Sequence, residues 1–361
     1  MSALPQPVLV VGTGLIGTSL ALALRRAGAQ VWLTDRDPAA LAVAVARGAG
    51  RPLAEAADSS TPALVVVAIP PAATAAVVAD SLRRYPHALV TDVASVKVPI
   101  HRALVAAGVD ASRYCGGHPM AGRETSGPAS ARDDLIDDRP WVITPDAGAT
   151  EAAVVAVQAL ALAVRAVPIV MPAVEHDRAV AVVSHTPQVV SSLLAARLLD
   201  SSDEAVAIAG QGLRDMTRIA ASDPDLWVEI LAANAAPVAD VLTALRGDLD
   251  ALLSALHRVD SGGVDGIGDA LRRGKAGRSR VPGKHGAATT PTVEVPVAVA
   301  DAPGELGRLF AAVAEAGFSV EDVRIEHVLG RPTGVVEMSV AVGVADQVAD
   351  ALRRGGWDVR G

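Results

Sequence analysis

Hydrophobic positions fall into three successive patterns along the chain. Up to about residue 171, short apolar runs alternate with amphipathic stretches. Val8–Val11 and segments 30–34, 63–69 and 88–91 are strand-length runs rich in Val, Leu and Ile, bounded by Gly, Pro, Asp or Thr. Between them, 18–26 and 74–84 read as helices, and an alanine-rich helix starts near Ala149, between strands at 141–144 and 168–171. Such alternation predicts a parallel sheet with helices on both faces. From Pro172 to about Leu256 strand signals fade and long helices take over, the first (173–199) broken at Pro187. The last stretch, 292–361, returns to short elements in the order βαββαβ, a ferredoxin-like arrangement.

The first apolar run leads straight into Gly12-Thr13-Gly14-Leu15-Ile16-Gly17, and the next run ends at Asp35. A strand, G-x-G-x-x-G, a helix and then an acidic residue closing the second strand is the order of a dinucleotide-binding βαβ unit. The glycines allow a tight turn and close approach to a pyrophosphate, and the helix N-terminus supplies donors. Asp35 suits a ribose hydroxyl and repels a 2′-phosphate, which favours NAD over NADP; Arg36 beside it softens that preference. The reading is therefore an α/β Rossmann-type domain (1–171), an all-α domain (172–257), a linker (258–291) and a C-terminal βαββαβ domain (292–361).

Composition narrows the function classes. With 361 residues, 51% hydrophobic and 20% charged, the chain is long enough for several domains. No run of about 18 uncharged apolar residues occurs, so no membrane span is expected, and the start lacks the basic segment of a signal peptide. A net charge of −8 argues against nucleic acid. The local exception is Arg272, Arg273, Lys275, Arg278, Arg280 and Lys284, set among glycines and read as a solvated linker. The lone Cys115 allows no internal disulfide and fits a reducing cytoplasm. Cys115-x-x-His118 has no second cysteine pair, so no metal site is expected.

Candidate chemistry gathers after the strands. Asp92-Val93-Ala94-Ser95-Val96-Lys97 follows one of them, and Gly116-Gly117-His118-Pro119-Met120-Ala121-Gly122 reads as a glycine-rich loop after another. In such sheets ligands bind beyond the carboxyl ends of the strands. A histidine held there can exchange protons near neutral pH. In the helical region, Ser184, His185 and Gln188 surround the Pro187 break. Further on, Arg214 and Arg218 are four apart, a like-charge pair that a dianionic ligand would compensate, although Asp215 can compensate one of them.

Together, Gly12–Gly17, Asp92–Lys97, Gly116–Gly127, Ser184–Pro187 and Gly210–Trp227 resemble the prephenate/arogenate dehydrogenase family of tyrosine biosynthesis, and the C-terminal unit resembles an ACT domain. The resemblance implies an oxidative decarboxylation in which hydride passes to NAD⁺ and the ring carboxyl leaves as CO₂. It makes His118 the base at the substrate hydroxyl, with Ser95 orienting it and Lys97 supporting the site. Asp92 joins the cofactor residues. Arg218 binds a substrate carboxylate, with Arg214 nearby; His185 and Gln188 contact the substrate. Glu124, Asp215 and Arg218 form an ionic gate, and Trp227 comes from a partner subunit. The apolar helical domain and Trp227 suggest a homodimer. An aromatic effector, tyrosine by preference, would sit at Asp301, Gly304, Glu305, Leu306, Phe318 and Ser319. Gln188 stands where many members have a second histidine and Gln211 where some have glycine, so the choice of prephenate or arogenate stays open. Two other readings compete. A β-hydroxyacid dehydrogenase would place a lysine on the helical domain, yet none lies between Lys97 and Lys275. A non-catalytic sensor would bind NAD without turnover.

Overall fold

The structure, a computed structural model, describes residues 3–56, 61–123, 125–281, 291–327 and 332–360. It divides into two compact units, Met1–Arg246 and Gly247–Gly361.

The first unit opens with β1 (Val8–Val11), α1 (Leu15–Arg26), β2 (Val31–Thr34), α2 (Pro38–Ala46), β3 (Arg51–Pro52), β4 (Leu64–Val67), α3 (Pro71–Arg84), β5 (Leu89–Asp92) and α4 (Val98–Ala106). The strands form a parallel sheet in the order β3-β2-β1-β4-β5. Both faces are buried, so the strands are apolar throughout. Val8, Val10, Leu33 and Val66 pack on one side; Leu9, Trp32, Val65 and Val67 pack on the other. α2 and β3 were not foreseen; Asp37 caps α2 by accepting from the Ala39 N–H, with Pro38 in its first turn.

The remaining strands depart from expectation. β6 (Gly116–Pro119), β7 (Pro140–Thr144) and β8 (Val167–Val170), with α5 (Glu151–Ala163) between the last two, form a separate three-stranded sheet. β6 runs antiparallel to β7, and β7 parallel to β8. His118 therefore lies in a buried strand, paired with Val142, and not on a loop. Two features make this strand possible. Pro119, which lacks an N–H, is its last residue. Gly117 lets it lie close: a Cβ there would come 2.8 Å from both the Asp92 carbonyl oxygen and Trp141 Nε1.

The helical part comprises α6 (Ala173–Val180), a π-turn (Ala181–His185), α7 (Thr186–Ala196), α8 (Asp203–Ala207), α9 (Gln211–Thr217), a 3₁₀ turn (Arg218–Ala221), α10 (Pro224–Ala233) and α11 (Ala235–Leu256), which contains the boundary between the units. Pro187, in the first turn of α7, has no N–H to return to the preceding turn, and the widened π-turn sits just before it. By length and composition alone, Ala173–Asp200 is long and apolar enough to cross a membrane. It buries His176, Asp177, His185 and Gln188, as a core helix around a polar site does.

In the second unit α12 (Val264–Arg278) precedes β9 (Thr292–Ala300), α13 (Glu305–Glu315), β10 (Asp322–His327), β11 (Thr333–Ala341), α14 (Ala345–Arg354) and β12 (Asp358–Val359). The antiparallel sheet has the order β10-β11-β9-β12, as the βαββαβ pattern requires. Leu309, Val313, Val348 and Leu352 of the helices close its core against Val297 and Met338. The basic stretch is not simply a linker. Its first part is helical, with Arg272 bonded to Asp269 and Arg273 to Asp248 on α11.

Candidate active site

The ends of β1, β5 and β6 and the π-turn converge on one cavity of about 850 Å³, within the first unit. Gly14, Leu15 and Ile16 line it, as do Ser95 and His118 and, from the helical part, His185, Gln188, Arg218 and Trp227. Sequence-predicted residues from four separate segments thus line one cavity.

The Gly12–Gly17 turn fits a dinucleotide. Gly12 has φ +100, and a Cβ there would run into the Ala68 carbonyl oxygen, so the turn admits only glycine. Around Gly14 nothing lies within 4 Å of a Cβ position, which leaves room for a pyrophosphate at the N-terminus of α1. No side chain caps that terminus, so its N–H groups point at the cavity end. Asp35 accepts from Thr13 Oγ1 at 2.8 Å and from the Asp37 N–H at 2.8 Å. Burial works against its charge, but the hydrogen bonds from Thr13 and Asp37 outweigh it and hold the carboxyl below its usual value. Thr13 is fully buried and spent on Asp35, and Arg36 is exposed outside the cavity.

His118 is 9% exposed. Burial first, then the neighbouring His176, Lys97 and His185, push its pKa well below the ordinary histidine value, so the ring is neutral at pH 7. Its Nδ1 lies 2.8 Å from His176 Nε2, and His176 Nδ1 lies 2.7 Å from Asp177 Oδ1. Asp177 also accepts from the Lys97 N–H (2.9 Å) and the Val98 N–H (2.8 Å), at the start of α4. The sequence reading missed both residues. Their only trace was the polar run Glu175-His176-Asp177-Arg178 at the start of a long helical stretch that is mostly apolar beyond it.

His185 is tied down on its other side. Asn234 Nδ2 donates to the Asp177 carbonyl at 2.7 Å, which fixes the orientation of the amide, and it lies 3.0 Å from His185 Nδ1. That nitrogen is therefore the acceptor, and Nε2 carries the proton. Burial lowers the pKa of His185 to about 4, so it stays neutral. Nε2 of His185 and Oε1 of Gln188 are buried with no hydrogen-bond partner among the described residues. One donor and one acceptor thus border the cavity uncompensated, the usual mark of a ligand site.

Several expected roles fall elsewhere. Lys97 is completely buried and does not line the cavity. Its ammonium pairs with Asp92 and donates to the Gly117 carbonyl at 2.7 Å. Asp92, also fully buried, accepts from Tyr114 Oη at 2.6 Å and from the Ala94 N–H at 2.8 Å, and so is not a cofactor contact. Arg214 and Asp215 are exposed outside the cavity, Asp215 taking the Gln211 amide at 2.8 Å. The helix ends at Thr217, so Arg214 and Arg218 do not share one continuous α-helical face. Of the ionic gate, Glu124 lies outside the described residues. Trp227 meets His185 of its own chain edge to face, ring centres 6.0 Å apart.

Residues 20–170 match the family model for the nucleotide-binding domain of prephenate dehydrogenase, and residues 172–266 match that for its dimerization domain. The chain is 39% identical over 360 residues to the probable prephenate dehydrogenase NovF of Streptomyces niveus, covering 98% of this chain and 99% of that one. The structure resembles prephenate dehydrogenase from A. aeolicus, solved with hydroxyphenyl propionate and NAD⁺, with a TM-score of 0.66 and 28% identity over 77% of this chain and 99% of that one. It also resembles Synechocystis arogenate dehydrogenase, with a TM-score of 0.63 and 26% identity over 75% of this chain and 98% of that one. Fold and site define an NAD-dependent oxidoreductase with a Rossmann-like nucleotide-binding domain. More particularly, the chain belongs to the prephenate dehydrogenase family.

Proposed function

We propose that this chain catalyses the NAD⁺-dependent oxidative decarboxylation of prephenate to 4-hydroxyphenylpyruvate, a step of tyrosine biosynthesis. The observation that carries the reading is a neutral, buried His118 in a cavity that is also lined by Arg218 and by the glycine turn of a nucleotide-binding domain. His118 takes the proton of the substrate hydroxyl, and Ser95, which lines the same cavity, orients that hydroxyl. Arg218 holds a carboxylate in bidentate fashion. Bound NAD⁺ supplies the hydride acceptor, and Asp35 disfavours NADP. The Nε2–H of His185 suits a keto oxygen, hence prephenate. Oε1 of Gln188 would equally accept from an ammonium, which keeps arogenate as a second reading. Comparing NADH formation from prephenate and arogenate, each also with NADP⁺, tests the assignment; no turnover with either substrate would sink it.

The match to a dimerization domain and exposed Val182, Leu193, Leu199 and Ile208 on the helical surface support a homodimer. A single, buried cysteine suits the cytoplasm. For the C-terminal unit an ACT-type regulatory role is proposed, with tyrosine as effector. Asp301, Gly304, Glu305 and Leu306 lie before or at the start of α13, Phe318 and Ser319 beyond its end, about 16 Å away by helix rise. Glu305 is paired with Arg308, and Phe318 packs against the unit's own core. One copy therefore does not bring the two edges together, so a site using both needs two copies. Binding of tyrosine by the full-length enzyme, followed by calorimetry, checks this.

A further inference from the structure

We propose that His176 and Asp177 are positioning residues that fix the tautomer of His118, presenting its Nε2 to the cavity as a bare acceptor. The inference rests on the proposed role of His118 as base. Direction along the chain of bonds follows from its far end. Asp177 takes two backbone N–H groups, from Lys97 and Val98, so both its oxygens act as acceptors. The His176 nitrogen 2.7 Å from Oδ1 is then the protonated one. With Nδ1 carrying the proton, neutral His176 offers a lone pair at Nε2, and His118 must donate to it from Nδ1 across 2.8 Å. His118, neutral by burial, has only one proton, so its Nε2 is left unprotonated. The reverse direction would need an imidazolium at His176, which has no exposure to water and whose carboxylate partner already serves two other donors.

The geometry also explains how the proton is held once taken. When a substrate hydroxyl gives its proton to Nε2, His118 becomes an imidazolium whose Nδ1–H still points along the same chain toward the Asp177 carboxylate. Asp177 is held in turn: its side chain sits on the first turn of α4 and its carbonyl accepts from Asn234. A misdirected proton would block the base, since an Nε2–H cannot accept. Where a carboxylate fixes a catalytic imidazole in this way, reversing the tautomer costs up to about 10⁴ in kcat.

The first test does not depend on activity. In the full-length enzyme with ¹⁵N-labelled histidine, Nε2 of His118, assigned by its loss in His118→Asn, should resonate as a pyridine-like nitrogen and Nδ1 as a pyrrole-like one. A pyrrole-like Nε2 at neutral pH overturns the proposal. The second test compares His176→Leu with His176→Gln, whose amide oxygen can accept from Nδ1. The leucine variant should lose roughly 10²-fold or more in kcat with KM changed less than threefold, and glutamine should recover at least tenfold of that loss. Equal losses in both variants refute a positioning role. If His118→Asn itself retains wild-type turnover, the reading of His118 as base fails, whatever the ¹⁵N spectrum shows.

Discussion

Replacing Lys97 with methionine separates two accounts of this residue. From sequence resemblance, Lys97 supports catalysis directly; in the structure it is a fully buried cation paired with Asp92 and bonded to the Gly117 carbonyl. Methionine has similar bulk, so the change removes charge more than volume. Asp92 would be left buried and ionised with only Tyr114 and the Ala94 N–H to hold it. Removing one partner of a buried pair costs about 3–5 kcal/mol. At roughly 2–4 °C per kcal/mol for a chain unit of this size, the melting temperature should fall by roughly 6–20 °C. The double variant K97M/D92N removes the orphaned charge and should recover most of the loss. The assay is urea unfolding of the three proteins beside steady-state kinetics with prephenate. In K97M, KM and kcat measured well below the melting temperature should change little compared with stability. The reasoning is refuted if K97M unfolds within about 1 kcal/mol of wild type while kcat drops a hundredfold, because Lys97 would then act on the reaction itself.

Other outcomes follow from the same geometry. His118→Asn should lower kcat roughly 10²–10⁴-fold with little change in KM, measured by NADH absorbance; wild-type turnover would remove the base from the mechanism. Arg218→Ala should raise KM for the dianionic substrate roughly 10–100-fold, the worth of a charge-assisted pair of about 1.5–3 kcal/mol, and an unchanged KM would place the carboxylate elsewhere. Stability should fall as pH drops from about 6.5 toward 4. His185 binds a proton in the unfolded chain below 6.5 but in the fold only near 4, so the unfolded state gains protons first, by up to about 3 kcal/mol for this group. Urea midpoints of wild type and His185→Gln across that range check it, since the variant should show a shallower decline.

How far the chain could be read follows from what each signal depends on. The parallel sheet was legible because strands buried on both faces must be apolar throughout, as Leu64–Val67 are. The βαββαβ unit was legible for a related reason, its short elements separated by glycines. The second sheet was not. Gly116, Gly117 and Pro119 look like loop punctuation, and only the neighbouring carbonyl of Asp92 and the indole of Trp141 show that small residues are needed for close packing. Charge alone also misled at Lys97 and Asp92. In sequence they are polar residues on a turn after a strand, hence candidates for chemistry; their burial is set by β6, which lies far away in sequence. The relay of His176 and Asp177 depends on α6 packing beside β6, and no local pattern encodes that.

The two histidines of the cavity are both neutral, yet the proteins around them give them opposite functions. Asn234 offers His185 a donor, so its other ring nitrogen, Nε2, must carry the proton and can only donate to a ligand. His176 offers His118 an acceptor, so the nitrogen nearer the cavity must be bare and can only accept. Asp177 organises both: its carboxylate orients His176, and its carbonyl orients Asn234. One residue in α6 thereby sets the polarity of two hydrogen-bonding groups of the same cavity. Asp177→Asn should consequently disturb proton acceptance more than binding. A carboxamide can present its NH₂ to His176 Nδ1, which turns the donor direction toward His118 and protonates its Nε2. The peptide carbonyl that holds Asn234 stays in place, and with it the donor at His185. A fall in kcat of roughly 10²-fold or more beside a KM within a few-fold of wild type is the expected split. Equal effects on both constants would mean that Asp177 serves the fold of the α4 terminus alone.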